Sequence, residues 1–244
     1  VIGVPSSLPL RSGTPSAGFA ALLRERSQFA LSLPLVAVLL VTVPVFVQAP
    51  WVRLAPMGAA LFTVPLVGLG VLLEQHSRGP LRQLGILLVG FSGSWLGGSL
   101  FWGWCRPHPM VHLPIEAFAL PLALAGLNSR WRLAAAFYLS SLLGTALTDG
   151  VMAISGVMGF WPEVVSAPLQ EAPLLLQAAA ATVLQPLPLA MVLLSSALLL
   201  LVCRALWPLG EVARVAAAAL ATTVAVDGLF LVAALLAPQF SGLI

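Results

Sequence analysis

Long apolar runs, broken by single or paired arginines, set the pattern of this chain. A helix needs about 20 apolar residues to cross the roughly 30 Å hydrocarbon core of a bilayer. Six runs meet that length: residues 29–48, 55–73, 84–104, 133–156, 186–203 and 215–237. A seventh, residues 109–127, contains Pro114, Glu116 and Pro121. Proline is tolerated in a span where neighbouring helices re-satisfy the freed carbonyls, so this helix is expected to be kinked and buried within the bundle. Residues 161–184 are apolar in their later part, but an eighth span there would carry Arg204 and Arg214 across the membrane. The segment is therefore expected to be an interfacial or re-entrant helix, with Trp161 as a headgroup anchor. The link Arg78-Gly79-Pro80 reads as an ordinary turn.

Composition agrees with a lipid solvent. Of 244 residues, 60% are hydrophobic and 8% charged, where a water-facing surface carries about a quarter charged residues. The net charge of +3 comes from dispersed arginines, with no lysine, so no nucleic-acid patch is present. Placing the N-terminus in the cytoplasm puts Arg11, Arg24, Arg26, Arg78, Arg82, Arg130, Arg132, Arg204 and Arg214 on that side and leaves Arg53 and Arg106 outside. Residues 1–23 lack the charged region and apolar stretch of a cleavable signal and read as cytoplasmic tail. The expected fold is an all-α, polytopic transmembrane helix bundle of about seven spans. Residues 1–28 form the tail and residues 29–244 a single transmembrane helical domain. Cys105 and Cys203 fall at opposite ends of the bundle and cannot pair, since a disulfide needs Cα atoms within about 7 Å.

A charged side chain inside a span costs about 2.5–3.5 kcal/mol on insertion scales and usually faces the bundle interior or a polar site. Glu116, Asp149 and Asp227 are the candidates, each roughly 8–15 Å below the outer boundary at 1.5 Å rise per residue. His112 precedes Glu116 by four residues and shares its face if the helix continues through Pro114. Three readings of that pair stay open: an internal hydrogen bond that fixes packing, a ligand or proton site, and a metal site. A metal needs three or four ligands, and His108, the third candidate, is set apart by Pro109 and lies nearer the interface. Asp149 follows Thr145 and Thr148, whose hydroxyls can bond its carboxylate locally. Residues 145–150 and 223–228 both read Thr, three residues, Asp, Gly, a weak internal echo. Gly85, Gly90, Gly93, Gly97 and Gly98 give the third span a small-residue face suited to close helix packing. Trp102 and Trp104 read as interfacial anchors. No phosphate-cradling glycine loop, nucleophile elbow, zinc-protease motif or paired CxxC is present, so hydrolytic and nucleotide-driven chemistry find no support.

The run of residues 102–122, with Gly103-Trp104 and His112-Leu113-Pro114-Ile115-Glu116-Ala117, together with Phe137-Tyr138-Leu139 and Gly144-Thr145-Ala146-Leu147-Thr148-Asp149, resembles an uncharacterised family of cyanobacterial multi-span membrane proteins, a domain of unknown function. The resemblance covers most of the chain and implies the thylakoid or plasma membrane of a photosynthetic bacterium, without an activity. A shorter stretch is similar to the small membrane-embedded lycopene cyclases: Asp149, Gly156-Val157, Gly159-Phe160, Pro162-Glu163 and Pro168-Leu169-Gln170-Glu171. Pro114-Ile115-Glu116 echoes the other half of that pattern. The cyclases' paired acids are single here, with Gln170 before Glu171 and Ala117 after Glu116. That resemblance implies Glu116 and Asp149 as proton donor and base in the redox-neutral cyclisation of a polyene, a role for which burial of a carboxylic acid is suited.

Three functions follow as expectations. The first is a non-enzymatic factor that binds a pigment, quinone or lipid, or helps assemble a photosynthetic complex. The second is an isoprenoid or pigment enzyme with Glu116 and Asp149 as catalytic candidates. The third is a small proton- or cation-coupled transporter using Asp149 and Asp227, for which so short a chain would need a homo-oligomer. The candidate ligand-binding residues are Trp104, His108, His112, Glu116, Asp149, Glu171 and Asp227, with no metal assigned and the cofactor unknown. Membrane lipid is the expected surrounding partner, and nucleic acid is not.

Overall fold

The computed structural model describes residues 32–168 and 170–238. The expected cytoplasmic tail, residues 1–28, lies outside the described residues. In chain order the helices are α1 (Leu33–Leu54), α2 (Pro56–His76), α3 (Pro80–Cys105), α4 (Pro109–Gly126), α5 (Arg132–Ile154), α6 (Phe160–Ser166), α7 (Ala172–Val183), α8 (Pro186–Leu209) and α9 (Glu211–Leu236). All but α6 and α7 are long and apolar enough to cross a membrane. The seven spans anticipated from the apolar runs are all present, and no strand occurs among the described residues. α6 and α7, at 7 and 12 residues, are too short to cross about 30 Å of hydrocarbon. Leu176 and Ala180 of α7 pack on Val164 of α6 and Ala234 of α9, so the segment between α5 and α8 caps one end of the bundle.

α3 is the central helix. Of its most apolar window 61% is buried, against 6% for α4, so the expectation that α4 would be buried within the bundle is corrected: α4 lies at the periphery. Its backbone is broken, as anticipated, into 3-10 turns at Pro109–Val111 and Ala117–Ala119 and α-helical pieces at His112–Glu116 and Leu120–Gly126. Pro121 has no N–H to give the Ala117 carbonyl, and the chain tightens into a 3-10 turn just before it. Burial is not needed to repair the break, because one side chain of α5 does so. The Tyr138 hydroxyl donates to the Glu116 carbonyl and accepts from the Ala119 N–H at 3.3 Å.

Glycines set how closely α3 approaches its neighbours. A Cβ at Gly85 would lie 2.6 Å from the Gly70 carbonyl oxygen of α2, and one at Gly90 would lie 2.5 Å from that of Ala134 in α5. Both distances are below contact, so the backbones touch where a side chain would separate them. Around this seam Leu87, Phe91 and Trp95 of α3 pack with Leu33 of α1, Phe137 of α5 and Val215 of α9. α9 also contacts α8 through Ala217 and Leu220, which meet Leu199 and Cys203. Cys105 and Cys203 are both free.

Polar contacts tie each end. Where α2 ends and α3 begins, the Glu74 carboxylate is 2% exposed, with Arg82 at 2.8 Å and Arg130 of the α4–α5 loop at 3.8 Å. Gln83 donates to Glu211 at the start of α9 at 2.7 Å. Toward the opposite end, Gln48 of α1 donates to the Trp95 carbonyl and to Ser99 of α3, at 2.6 and 2.7 Å.

An alanine exchange separates packing from propensity. Gly→Ala within a helix ordinarily favours folding by about 0.5–1 kcal/mol, and Gly68, with nothing within 4 Å of an added Cβ, is expected to follow that rule. Gly90→Ala is expected instead to lower the unfolding midpoint in mixed micelles, by about 1–3 kcal/mol of overpacking. Equal midpoints for the two variants would mean that the α3–α5 seam is looser than described.

Candidate functional site

The end of the bundle where α3, α5 and α9 finish and α4 begins carries the densest polar chemistry within the spans. α3 closes in a π-helical turn, Phe101–Cys105, whose extra residue per turn shifts the aromatic side chains out of the α-helical register. Phe101 is fully buried there. The chain reverses through Arg106 to His108 and enters α4, bringing His112 under Phe101 with ring centroids 4.2 Å apart. Trp161 of α6 closes the aromatic wall, 5.4 Å from the Trp102 ring and 6.1 Å from both His112 and Phe101. Its indole N–H donates to the Arg106 carbonyl at 2.7 Å, which fixes α6 over the reversal.

His112 is held between two acids. Nδ1 is 2.9 Å from Asp149 Oδ2 of α5, and Nε2 is 3.3 Å from Glu116 Oε1 one turn on in α4. A neutral imidazole has one N–H, so both contacts are favourable together only if the ring is protonated or one acid carries the proton. Either way, one proton more than the neutral imidazole carries is needed to satisfy both contacts. Side-chain exposures of 11% for His112, 18% for Glu116 and 14% for Asp149 leave it reachable, unlike Glu74 at 2%. Close approach of α3 makes room: a Cβ at Gly97 would sit 3.0 Å from the Glu116 Cα.

Asp227 of α9 joins through the neighbouring residue. The Thr148 hydroxyl lies 2.6 Å from Asp227 Oδ2 and 3.1 Å from the Gly144 carbonyl. The expected local bond from Thr145 or Thr148 to Asp149 is corrected: Thr145 turns to the Ser141 carbonyl at 3.4 Å, Thr148 reaches across to α9, and Asp149 pairs with His112. The two echoed Thr-to-Gly stretches thus face each other on α5 and α9, where a Cβ at Gly144 would lie 2.7 Å from the Thr223 hydroxyl.

Of the candidate residues, the structure brings together His112, Glu116 and Asp149 directly and Asp227 through Thr148. Trp104, His108 and Glu171 are exposed. None of these three shares a described ring contact or side-chain hydrogen bond with the His112 group. Among the described residues, no group of three or more His, Cys, Asp or Glu side chains is placed to hold a metal ion. Trp102 and Trp161 read as anchors in the sequence, and the structure sets them, with Phe101, around His112. The signal available was their aromatic density just before and after a histidine. Glu74 was missed, since it stands one residue beyond the apolar run 55–73 and reads as loop.

A family model described as a protein of unknown function (DUF3120) matches residues 37–235. No curated protein and no solved structure matches the chain.

Removing the hydroxyl that repairs α4 tests the frame of this site. Tyr138→Phe leaves the Glu116 carbonyl and Ala119 N–H without that partner and is expected to destabilise the protein by about 1–3 kcal/mol. The readout is detergent unfolding of the purified variant. An unchanged midpoint would show that the break in α4 needs no help from α5.

Proposed function

We propose that this chain, which belongs to the DUF3120 family, is a multi-span membrane protein that binds a lipophilic molecule with a polar end, a quinone or a pigment, at the His112 triad. One observation carries the reading: an imidazole flanked by Glu116 and Asp149 lies under Phe101 beside Trp102 and Trp161, and the triad is partly exposed. The part-exposed Trp102 and Trp161 rings suit a flat apolar ring system, and convergent polar atoms at one point suit its oxygen or nitrogen substituents. The remainder of such a molecule lies in lipid, which the peripheral position of α4 favours. Residues 29–244 form the single membrane domain in this reading, with residues 1–28 as a tail. The arginine distribution supports a cytoplasmic N-terminus and an outer-half site. The resemblance to cyanobacterial sequences supports the thylakoid or plasma membrane of a photosynthetic bacterium, where such a protein serves as a carrier or assembly factor.

The test is an absorption and mass spectrum of the material extracted from gently purified protein, beside that from the His112→Ala, Glu116→Gln double variant. A stoichiometric lipophilic molecule in the first that is lost from the second is the expected outcome. A folded but empty wild-type protein overturns the proposal.

The Thr148–Asp227 contact favours a second reading, proton transfer. It places a third acid within one residue of the triad, on a different helix. In this reading Glu116, His112, Asp149 and Asp227 exchange a proton, either giving one to a polyene from one acid and taking one back from the ring cation at another, or in exchange for a solute, the latter in a homo-oligomer. Asp227→Asn in proteoliposomes is expected to lower any proton-dependent uptake or conversion tenfold or more on the scale of general acid–base catalysis. Undiminished proton dependence would refute this reading and leave the binding proposal standing.

A further inference from the structure

A second feature lies away from His112, on the side of the bundle where α1 and α9 run parallel. An open groove of about 630 Å³ separates them. Leu35, Val38 and Thr42 of α1 form one wall, and Ala218, Ala225 and Leu229 of α9 form the floor and far end. Thr222 also lines it, with its hydroxyl donating to the Ala218 carbonyl at 2.7 Å. The groove is mainly apolar, with Thr42 and Thr222 the polar residues along its length. From Ala218 to Leu229 it runs about 16 Å at 1.5 Å per residue, close to half of a roughly 30 Å hydrocarbon core and therefore one leaflet deep.

Its mouth differs from its body. Ser32 and Trp207 frame it at the end where α1 and α9 begin. Arg214 stands one turn before Ala218 on the same face of α9, exposed, with its Nε donating to the Trp207 carbonyl at 3.2 Å. That bond places the guanidinium at the mouth. Arg204 is exposed one turn before Trp207 on α8. The nearby acid, Glu211, is engaged from the α3 side by Gln83. Arg204 and Arg214 against the Glu211 carboxylate leave the mouth net positive. A net positive mouth above an apolar trough one leaflet deep is complementary to one membrane component, an acyl chain bearing an anionic phosphate headgroup.

We propose that the groove between α1 and α9 is a binding site for an anionic phospholipid, with one acyl chain along Ala218–Ala225 and the phosphate at Arg214. The site is separate from the His112 triad, and its test does not depend on what the triad binds. Native mass spectrometry of the full chain, with dioleoyl phosphatidylglycerol or dioleoyl phosphatidylcholine added, reads it directly. The wild-type protein is expected to bind the glycerol lipid about fivefold more tightly, the worth of one arginine at a membrane surface. Arg214→Gln, a change at an exposed position, is expected to remove that preference and retain the weaker binding of the choline lipid. Ala225→Phe, also at an exposed position, fills the trough and is expected to weaken both lipids about fivefold or more. Equal binding of the two lipids by the wild type overturns the assignment of the headgroup. Undiminished binding by Ala225→Phe overturns the assignment of the groove. A lipid-free dimer that Ala225→Phe splits into monomers would assign the groove to a second copy of the chain instead.

Discussion

Hydrocarbon offers no hydrogen bonds, so every peptide group within a span must find its partner in protein, and α4 is where that constraint presses hardest. Two prolines remove donors from a helix that the bundle does not enclose. The solution is a single phenol from α5 that bridges the 3-10 turn at Ala117–Ala119, accepting from one side of the break and donating to the other. The rest of the polar end follows from this repair. It ties the end of the short His112–Glu116 helix to α5, the helix on which His112 meets Asp149. Gly97 allows α3 to pass close behind Glu116, and the π-helical turn beyond it lays Phe101 over the imidazole. Helix breaking here is a means of aiming side chains.

The two ends of the bundle use charge in opposite ways. At one end Glu74 is shut away from solvent and met by Arg82, with Arg130 nearby. Opposite charges there lock the α2–α3 turn to the α4–α5 loop. At the other end two acids converge on one histidine and keep part of their surface accessible. An enclosed acid met by two arginines serves packing. At the His112 end the acids outnumber the base, and ionisable groups inside a span ordinarily pair with one another in this way.

The spans were legible from the sequence because lipid demands length and apolarity, which the runs between arginines display. The peripheral place of α4 was not legible. Its glutamate and prolines read as a reason for burial, and the partner that makes burial unnecessary is Tyr138, on a different helix. The His112–Glu116 spacing could be read within one turn of helix. The contact between His112 and Asp149 spans 37 residues and depends on where α5 packs, which periodicity does not encode. The same reason explains Thr148: nearby in sequence it resembles a partner for Asp149, and only the parallel packing of α5 and α9 turns it toward Asp227. Glu74 escaped notice because apolar runs are read up to the first charge, and here that charge belongs to the protein interior.

The packing of α9 bears on how the molecule is made. Leu33 near the start of α1 and Val215 in α9 belong to one core, yet the ribosome completes the second long after the first. At about 5–20 residues per second the interval between them is roughly 10–40 s. During that time α1 has α3 to pack against but not α9, and Asp149 has arrived without the helix that carries Asp227. α9 is therefore the span that completes this core, and a nascent chain arrested before it would hold the polar triad without the Thr148–Asp227 contact.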